Sequence, residues 1–314
     1  MSSSVRVAAV IVHYHPTEQD WENTRYIGQF LPVVVVDNSE ASSNSEADDT
    51  ITVLRNGDNL GIATALNIGI DYWQQRGMQW CFLFDQDSKI TSTFIDDMLK
   101  PAMARAQQRS EGSHHSLTNI AAFLPRYFAN NLHSFGAGIQ VSPWRIKRVS
   151  VDQITNTIDS PTLLPVSYGI SSGSLVNLAA YEQIGPHHEP LFIDFVDIEW
   201  GLRANAKGFQ VLMNVEVTLS HELGVEPLHI LGKRIVNHSP LRHYYYFRNL
   251  CQLLKMAHVP AVWKLAELGK LPIRFGLYSL FTPAPYQHIK AMLGGLCDGL
   301  QNKTGKKDES PRYR

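Results

Sequence analysis

The stretch that most constrains this chain is Gln79–Ser88, Q-W-C-F-L-F-D-Q-D-S. Its apolar run, Trp80 to Phe84, is bounded by polar residues and breaks off into Asp85-Gln86-Asp87. A continuous apolar segment of that length reads as a strand covered on both faces, as in a parallel sheet. The two carboxylates then fall just past the strand's carboxyl end, where open α/β sheets bind ligands. Two acids one residue apart at such a lip suit a divalent cation carrying a phosphate ligand. Asp is equally a common turn residue, so the motif needs company.

The flanking segments repeat the same grammar. Val5–Val12 reads as a strand, followed by a helix from a Thr17 cap to about Phe30. Leu31–Val36 and Ile51–Arg55 read as strands on either side of a polar surface loop at 40–49. Asn56–Gly61 is a turn opening a helix to about Gln75, with Ile62, Leu66, Ile70 and Trp73 on one face. Ser92 or Thr93 caps the next helix, through roughly Ala106, and a polar loop occupies 107–118. Ile120–Phe128 is a strand, residues 134–149 a strand pair, and 160–173 loop and strand. Asn177–Ile184 and Phe192–Lys207 read as helices, and Phe209–Met213 and Val215–Ser220 as strands leading to His221. The alternation predicts an α/β fold: a mostly parallel central sheet with right-handed crossovers, flanked by helices.

From about His238 the chain turns aromatic and basic, with Pro260, Pro272, Pro283 and Pro285 dividing it into two or three helices and a frayed end from Gln301. This predicts an α/β domain over 1–237 and a helical C-terminal extension over 238–314. From Lys233 onward 14 Lys/Arg face 4 Asp/Glu, whereas the preceding residues carry 14 against 25. An acidic body with a basic tail draws the tail toward an anionic surface. The acidic half also argues against nucleic acid as a partner. Hydrophobic residues at 44% and charged residues at 18% exclude a disordered chain. Cys81, Cys251 and Cys297 lack metal-ligand spacing and suit a reducing compartment. The amino terminus has no signal-peptide layout and no apolar run reaches spanning length, so the expectation is a cytoplasmic protein.

The first strand is not followed by Gly-x-Gly-x-x-Gly, and no Gly-Lys-Ser/Thr occurs, which argues against a dinucleotide Rossmann site and a P-loop. Tyr14, Asp37 and Asn59-Leu60-Gly61 nevertheless fall at carboxyl-terminal strand ends. There an aromatic face can stack on a base and a carboxylate can accept from a ring N–H or ribose hydroxyl. Singly, each is explained as well by a surface Tyr, a turn Asp and a helix N-cap. Leu191–Arg203, L-F-I-D-F-V-D-I-E-W-G-L-R, embeds Asp194, Asp197 and Glu199 among aromatic and aliphatic neighbours. On a helix, Asp194 and Asp197 share a face and Glu199 pairs with Arg203 at i,i+4. Carboxylates in apolar surroundings have raised pKa values, as a general base requires. His221 follows a strand and could complete a site with Asp85 and Asp87. His13, His15, His114, His115, His187 and His188 have no such context and read as surface residues.

Together these residues resemble the inverting glycosyltransferases of family two, which have the GT-A fold, and within them the bacterial rhamnosyltransferases. The matching pieces are H-Y-H-P at 13–16, V-V-D-N at 35–38, N-L-G-I-A-T-A-L-N-I-G-I at 59–70 and F-D-Q-D-S at 84–88. They continue with S-S-G-S at 171–174, F-I-D-F-V-D-I-E-W-G-L-R at 192–203, H-E-L-G at 221–224 and Y-F-R-N at 246–249. The F-I-D-x-V-D-x-E-W form is the most specific of them.

The resemblance implies Asp197 as catalytic base and Asp85, Asp87 and His221 as ligands of Mg²⁺ or Mn²⁺. It implies a nucleotide-sugar site of Tyr14, Asp37, Asn59, Gly61, Asn67, Asp85, Gly173 and Arg248, with Asp194, Glu199 and Trp200 toward the acceptor. Two departures stand out. Val196 occupies the place of the first acid in the usual Glu-Asp pair, and Leu66 the place of an arginine before Asn67. The second leaves Arg248 as the candidate cation for the diphosphate. The implied reaction is metal-dependent transfer of L-rhamnose from dTDP-L-rhamnose to a saccharide acceptor in bacterial surface polysaccharide synthesis. The alternatives are another donor (a hexose, N-acetylhexosamine or galactofuranose nucleotide) or a nucleotide-sugar-binding protein without turnover. The basic tail reads either as a peripheral membrane contact, through Trp263, Phe275, Tyr278 and Phe281, or as a helical cap or homodimer contact.

Overall fold

The computed structural model describes residues 5–40, 50–110, 119–149, 163–221, 224–230 and 232–307. The expected loops at 40–49 and 107–118, with His114 and His115, lie largely outside the described residues, as does the end of the chain from 308. The first half runs β1 (Val7–His13), α1 (Glu18–Gly28), β2 (Val33–Asp37), β3 (Ile51–Arg55), α2 (Ile62–Gln75), β4 (Trp80–Asp85), α3 (Phe94–Ser110) and β5 (Ile120–Ala129). Thr17 starts α1 through a capping box with Asp20. Next come β6 (Ser134–Phe135), the hairpin β7 (Gly138–Val141) and β8 (Ile146–Val149), then β9 (Leu163–Val166), β10 (Ser174–Asn177) and α4 (Leu178–Ile184). The remainder is α5 (Val196–Ala206), β11 (Gln210–His221), the hairpin β12 (Val225–Ile230) and β13 (Lys233–Asn237), α6 (Pro240–Leu253), α7 (Ala261–Phe281) and α8 (Pro285–Leu300).

The central sheet is ordered β3-β2-β1-β4-β10-β5-β11-β9. All neighbours along β3-β2-β1-β4 and the pair β5-β11 are parallel, while β10 and β9 run against their neighbours. Alternate residues of β1, β2 and β4 go to opposite cores. Ala8, Val10, Val34, Cys81 and Leu83 meet Leu66, Ile70 and Trp73 of α2, with Tyr181 and Trp200 beyond them. Ala9, Ile11, Val33, Val35, Phe82 and Phe84 meet Trp21 of α1 and Phe94 and Met98 of α3. Both faces are covered, which is why these strands read as unbroken apolar runs.

Several expectations change. β10 was not read as a strand: four residues give too little pattern to show a period. The two strands expected over 209–220 are one, β11. α3 runs on to Ser110, past the expected loop start at Gln107. Its internal Pro101 cannot donate to the Asp97 carbonyl, and Asn214 Nδ2 of β11 supplies that carbonyl's partner at 3.3 Å. Pro272 does not split α7, because it lies on the exposed side of the helix, where water can serve the Leu268 carbonyl that loses its partner. Residues 301–307 are not frayed. Gly305 N donates to Pro190 O at 2.8 Å, Lys307 N donates to the Tyr245 hydroxyl at 2.8 Å, and Lys306 pairs with Asp58.

His13 and His187 are core residues rather than surface ones. Burial lowers their pKa values to about 4 and about 3, so both are neutral, His13 against Thr24 and His187 against Tyr181. His188 is half-buried. Trp263 and Tyr278 are buried too, Trp263 against Phe195 and Tyr278 with its hydroxyl on Val236 O. Neither is at an exposed interface. Among the described residues no helix is long and apolar enough to cross a membrane.

Candidate active site

Parallel register brings the carboxyl ends of β1, β2 and β4 to one level, pairing His13 with Asp37 and Val12 with Asp85. Tyr14 stands exposed at that lip. Gln86, between the two acids, locks the turn: its Oε1 accepts from Tyr14 N at 2.7 Å. Ser88 Oγ meets Ser172 Oγ at 2.8 Å, tying the turn to the 171–173 loop. Asp85 is half-buried and Asp87 exposed. The backbone of Ser220 bridges that of Lys89, so the end of β11, with His221, lies beside the segment leaving Asp87. The side chain of His221 is outside the described residues, and so are Glu222 and Leu223. Among the described residues no three His, Cys, Asp or Glu side chains form a metal-binding group. The described donors here are the two carboxylates, and such hard oxygen ligands fit Mg²⁺ or Mn²⁺.

At the other end of the lip Asp37 is buried, with one oxygen accepting from Ser39 N at 2.9 Å. Asn38 spans Gly61 O at 3.1 Å and the Asn56 amide at 2.7 Å, and Asn59 Oδ1 accepts from Gly61 N at 3.0 Å. Gly61 must be glycine, because its φ is +86° and a Cβ would stand 2.6 Å from the Phe192 ring. Gly173 has φ +76° and is buried, with its N–H given to Leu83 O at 2.7 Å.

The expected helix from Phe192 begins only at Val196, so Asp194 and Asp197 do not share a helical face. Phe192, Asp194 and Phe195 all have positive φ, from 64° to 66°. Such conformations cost non-glycine residues about 1–3 kcal/mol each and persist only where the surroundings impose them. α6 imposes them here. Asn249 Nδ2 donates to Leu191 O at 2.8 Å, Ile193 O at 2.7 Å and Asp194 O at 3.1 Å. Arg248 Nη2 donates to Leu191 O at 3.0 Å and Pro190 O at 3.2 Å, and Arg248 Nη1 to Gly305 O. Tyr245 stacks on Phe192 with centroids 5.1 Å apart, and Phe192 O receives Ile62 N of α2 at 2.8 Å.

This turn delivers Asp197 to the first turn of α5, where Ile198 N donates to its Oδ1 at 2.8 Å. Burial, then the charges of Asp194 and Asp85, raise the Asp197 carboxyl to about 6 against those backbone hydrogen bonds. Asp197 and Trp200 help to line a cavity of about 30 Å³ with Leu83, Tyr168, Ser171 and His187. The strand-end acid of β4 and the helix-start acid of α5 therefore lie within electrostatic reach of one another. A carboxyl poised near 6 in a water-poor wall can accept a proton at neutral pH.

Other expected site residues have structural duties. Asn67 is saturated: it donates to His187 O at 3.0 Å and Glu189 Oε1 at 2.9 Å, and accepts from His187 N at 2.9 Å and the Tyr181 hydroxyl at 2.5 Å. Nothing remains for a nucleotide. Glu199 is buried, receiving Arg203 Nε at 2.9 Å with His258 Nε2 also at 2.9 Å, so it does not face an acceptor. Trp200 gives its indole N–H to Gly185 O at 3.0 Å and offers only ring surface to the cavity. Asp194 is held by Arg242, whose Nε lies 3.0 and 2.9 Å and Nη2 2.6 Å from its oxygens. Arg248 is committed to backbone carbonyls and is not a cation for a diphosphate. Arg242, which no sequence motif singles out, is within electrostatic reach of Asp194, Asp197 and Asp85 together. No spacing rule links it to an acid 48 residues earlier.

With this geometry in hand, the comparisons are direct. The model of the family described as glycosyl transferase family 2 matches residues 28–108. The dTDP-rhamnosyl transferase RfbF of Shigella flexneri is 30% identical over 304 residues, which is 95% of this chain and 97% of that protein. Among solved structures, GalNAc-T7 with UDP, GalNAc and Mn²⁺ superposes with a TM-score of 0.53 at 12% identity, over 96% of this chain and 57% of that one. Staphylococcus aureus TarS 1–349 gives 0.52 at 14% identity, over 94% of this chain and 80% of that one. Likeness at such identity speaks for the fold, which is of the GT-A type.

The burial of Glu199 generates a test. Arg203 is only 16% exposed, so Glu199→Ala strands a buried guanidinium and should cost about 3–5 kcal/mol of stability, read as a lowered urea midpoint. An unchanged midpoint with lost turnover would return Glu199 to the acceptor site.

Proposed function

This chain belongs to glycosyl transferase family 2, and from that premise we propose that it moves L-rhamnose from dTDP-L-rhamnose to a saccharide acceptor, with inversion, in bacterial surface polysaccharide synthesis. The observation that carries the reading is Asp197: a buried carboxyl raised to about 6, within electrostatic reach of Asp85. Asp197 would take the proton of an acceptor hydroxyl as that oxygen attacks the anomeric carbon. The bond to the diphosphate oxygen then breaks and dTDP leaves with the electron pair. Asp85 and Asp87, with His221, would hold Mg²⁺ or Mn²⁺, which supplies positive charge to the departing diphosphate. Tyr14 offers an exposed ring for the base, and Asp37 and Asn59 polar edges beside it. Ring surface of Trp200 forms part of the wall that keeps water from Asp197.

We read residues 1–237 as the catalytic domain and 238–314 as a helical extension that also meets a membrane. In 240–307 both acids, Glu267 and Asp298, are buried and paired with Lys270 and Lys303. The exposed charges of this region are therefore basic. α7 turns Leu265, Leu268, Ile273, Leu280 and Phe281 outward. A second copy would set one basic face against another, whereas an anionic bilayer complements it, at about 1 kcal/mol per Lys or Arg near the surface. The membrane reading thus survives with aliphatic residues in place of Trp263 and Tyr278, and a lipid-linked saccharide would be met at that surface.

Four outcomes follow. Asp197→Asn should lower kcat about 10²–10⁴-fold with donor affinity nearly unchanged. Because the base must be ionised, wild-type kcat should fall about tenfold per pH unit below about 6. Wild-type turnover in the variant removes the assignment. Across a panel of nucleotide sugars, dTDP-L-rhamnose with Mn²⁺ should give the highest transfer and EDTA should abolish it. A better donor, or full activity in EDTA, overturns the sugar or the metal. Vesicles containing phosphatidylglycerol should co-sediment the chain, neutral vesicles should not, and Ile273→Asp with Leu280→Asp should release it. Retention by the double variant ends the α7 surface.

A further inference from the structure

We propose that Arg242 is the cation that receives the donor's diphosphate, with Asp194 holding its guanidinium in place. The guanidinium has two usable edges. Nε and Nη2 grip Asp194, at 2.9 and 2.6 Å for the closest contacts, while Nη1 makes no hydrogen bond among the described residues. The side chain is 37% exposed against 13% for Asp194, so the guanidinium keeps an access to solvent that its carboxylate partner lacks. An arginine fork can bind a carboxylate along one edge and a phosphate along the other.

Position supplies the second argument. Arg242 is fixed on Asp194, three residues before Asp197, and is within electrostatic reach both of Asp197, read above as the acceptor end, and of Asp85, read as the nucleotide end. In a nucleotide sugar, the diphosphate is what joins those two ends. Asp194 also bears on the energetics: it fixes a long side chain before the donor arrives, so less rotamer freedom is lost on binding. Three other cations of the region are engaged. Arg248 is spent on Leu191, Pro190 and Gly305 carbonyls, Arg203 on Glu199, and Lys306 on Asp58 and Glu40 at the Tyr14 end. The charge missing where Leu66 stands is thereby returned from α6.

The inference rests on the nucleotide-sugar reading, and calorimetry separates the two. In buffer with Mn²⁺, the wild-type chain should bind dTDP more tightly than dTMP. Arg242→Gln should weaken dTDP at least tenfold while changing dTMP far less, narrowing the ratio between them. Arg242→Lys keeps a charge beside Asp194 without the fork. It should hold the fold and still weaken dTDP at least threefold, so it decides the matter if Arg242→Gln does not fold. If both ligands weaken equally, or the ratio stays at the wild-type value, Arg242 only braces Asp194 and the proposal is overturned. If the wild-type chain binds neither dTDP nor UDP, the nucleotide-sugar reading itself falls and Arg242 with it.

Discussion

The clasp between α6 and the Leu191–Asp194 carbonyls is the constraint on which the rest of the site depends. Three residues in four hold positive φ there without a glycine among them. A chain left to local preference would wind Phe192–Phe195 into the start of α5, and Asp197 would sit a turn deeper in a longer helix. Asn249 and Arg248 prevent this by collecting the carbonyls that a helix would have used. The aromatic stacking of Tyr245 on Phe192 and of Tyr246 against Phe195 closes the turn from the side. The basic, aromatic segment that looked like an appendage is thus what aims Asp197.

Charge balance at the site follows from the same turn. Burial does most to raise the Asp197 carboxyl, and the charges of Asp194 and Asp85 add to it, a gathering of like charge that would destabilise the site if left alone. Arg242 offsets this from the first turn of α6, and its own pKa rises under the three carboxylates. The arrangement differs from a surface salt bridge. Burial makes each unpaired charge expensive, so the pair is coupled to the fold more tightly than exposed ion pairs are.

Much of the sheet was legible because β1, β2 and β4 carry their two-sided burial as plain apolar runs, each ending in a polar turn. The Glu199–Arg203 pair was legible too, from i,i+4 spacing alone. What stayed hidden was set by contacts between distant parts of the chain. Asn67 looks like a ligand residue until His187, Tyr181 and Glu189 are seen to use every hydrogen-bonding atom it has. Glu199 looks reactive among aromatics until His258 joins Arg203 around it. Trp263 looks like an interfacial anchor until Phe195 covers it. His221 matched a pattern, and its backbone lies beside the turn after Asp87, but its side chain lies outside the described residues.

The segment after α8 ties the far end of the sequence to the middle. Gly305 lies between Pro190 and Arg248, and Lys306 hooks the loop before α2. The last stretch therefore works as a drawstring around the aiming turn and the loop before α2 at once. Trimming the chain back to Leu300 would spare every acid discussed above and yet slacken both, so loss of activity in such a truncate would report lost tension rather than lost chemistry.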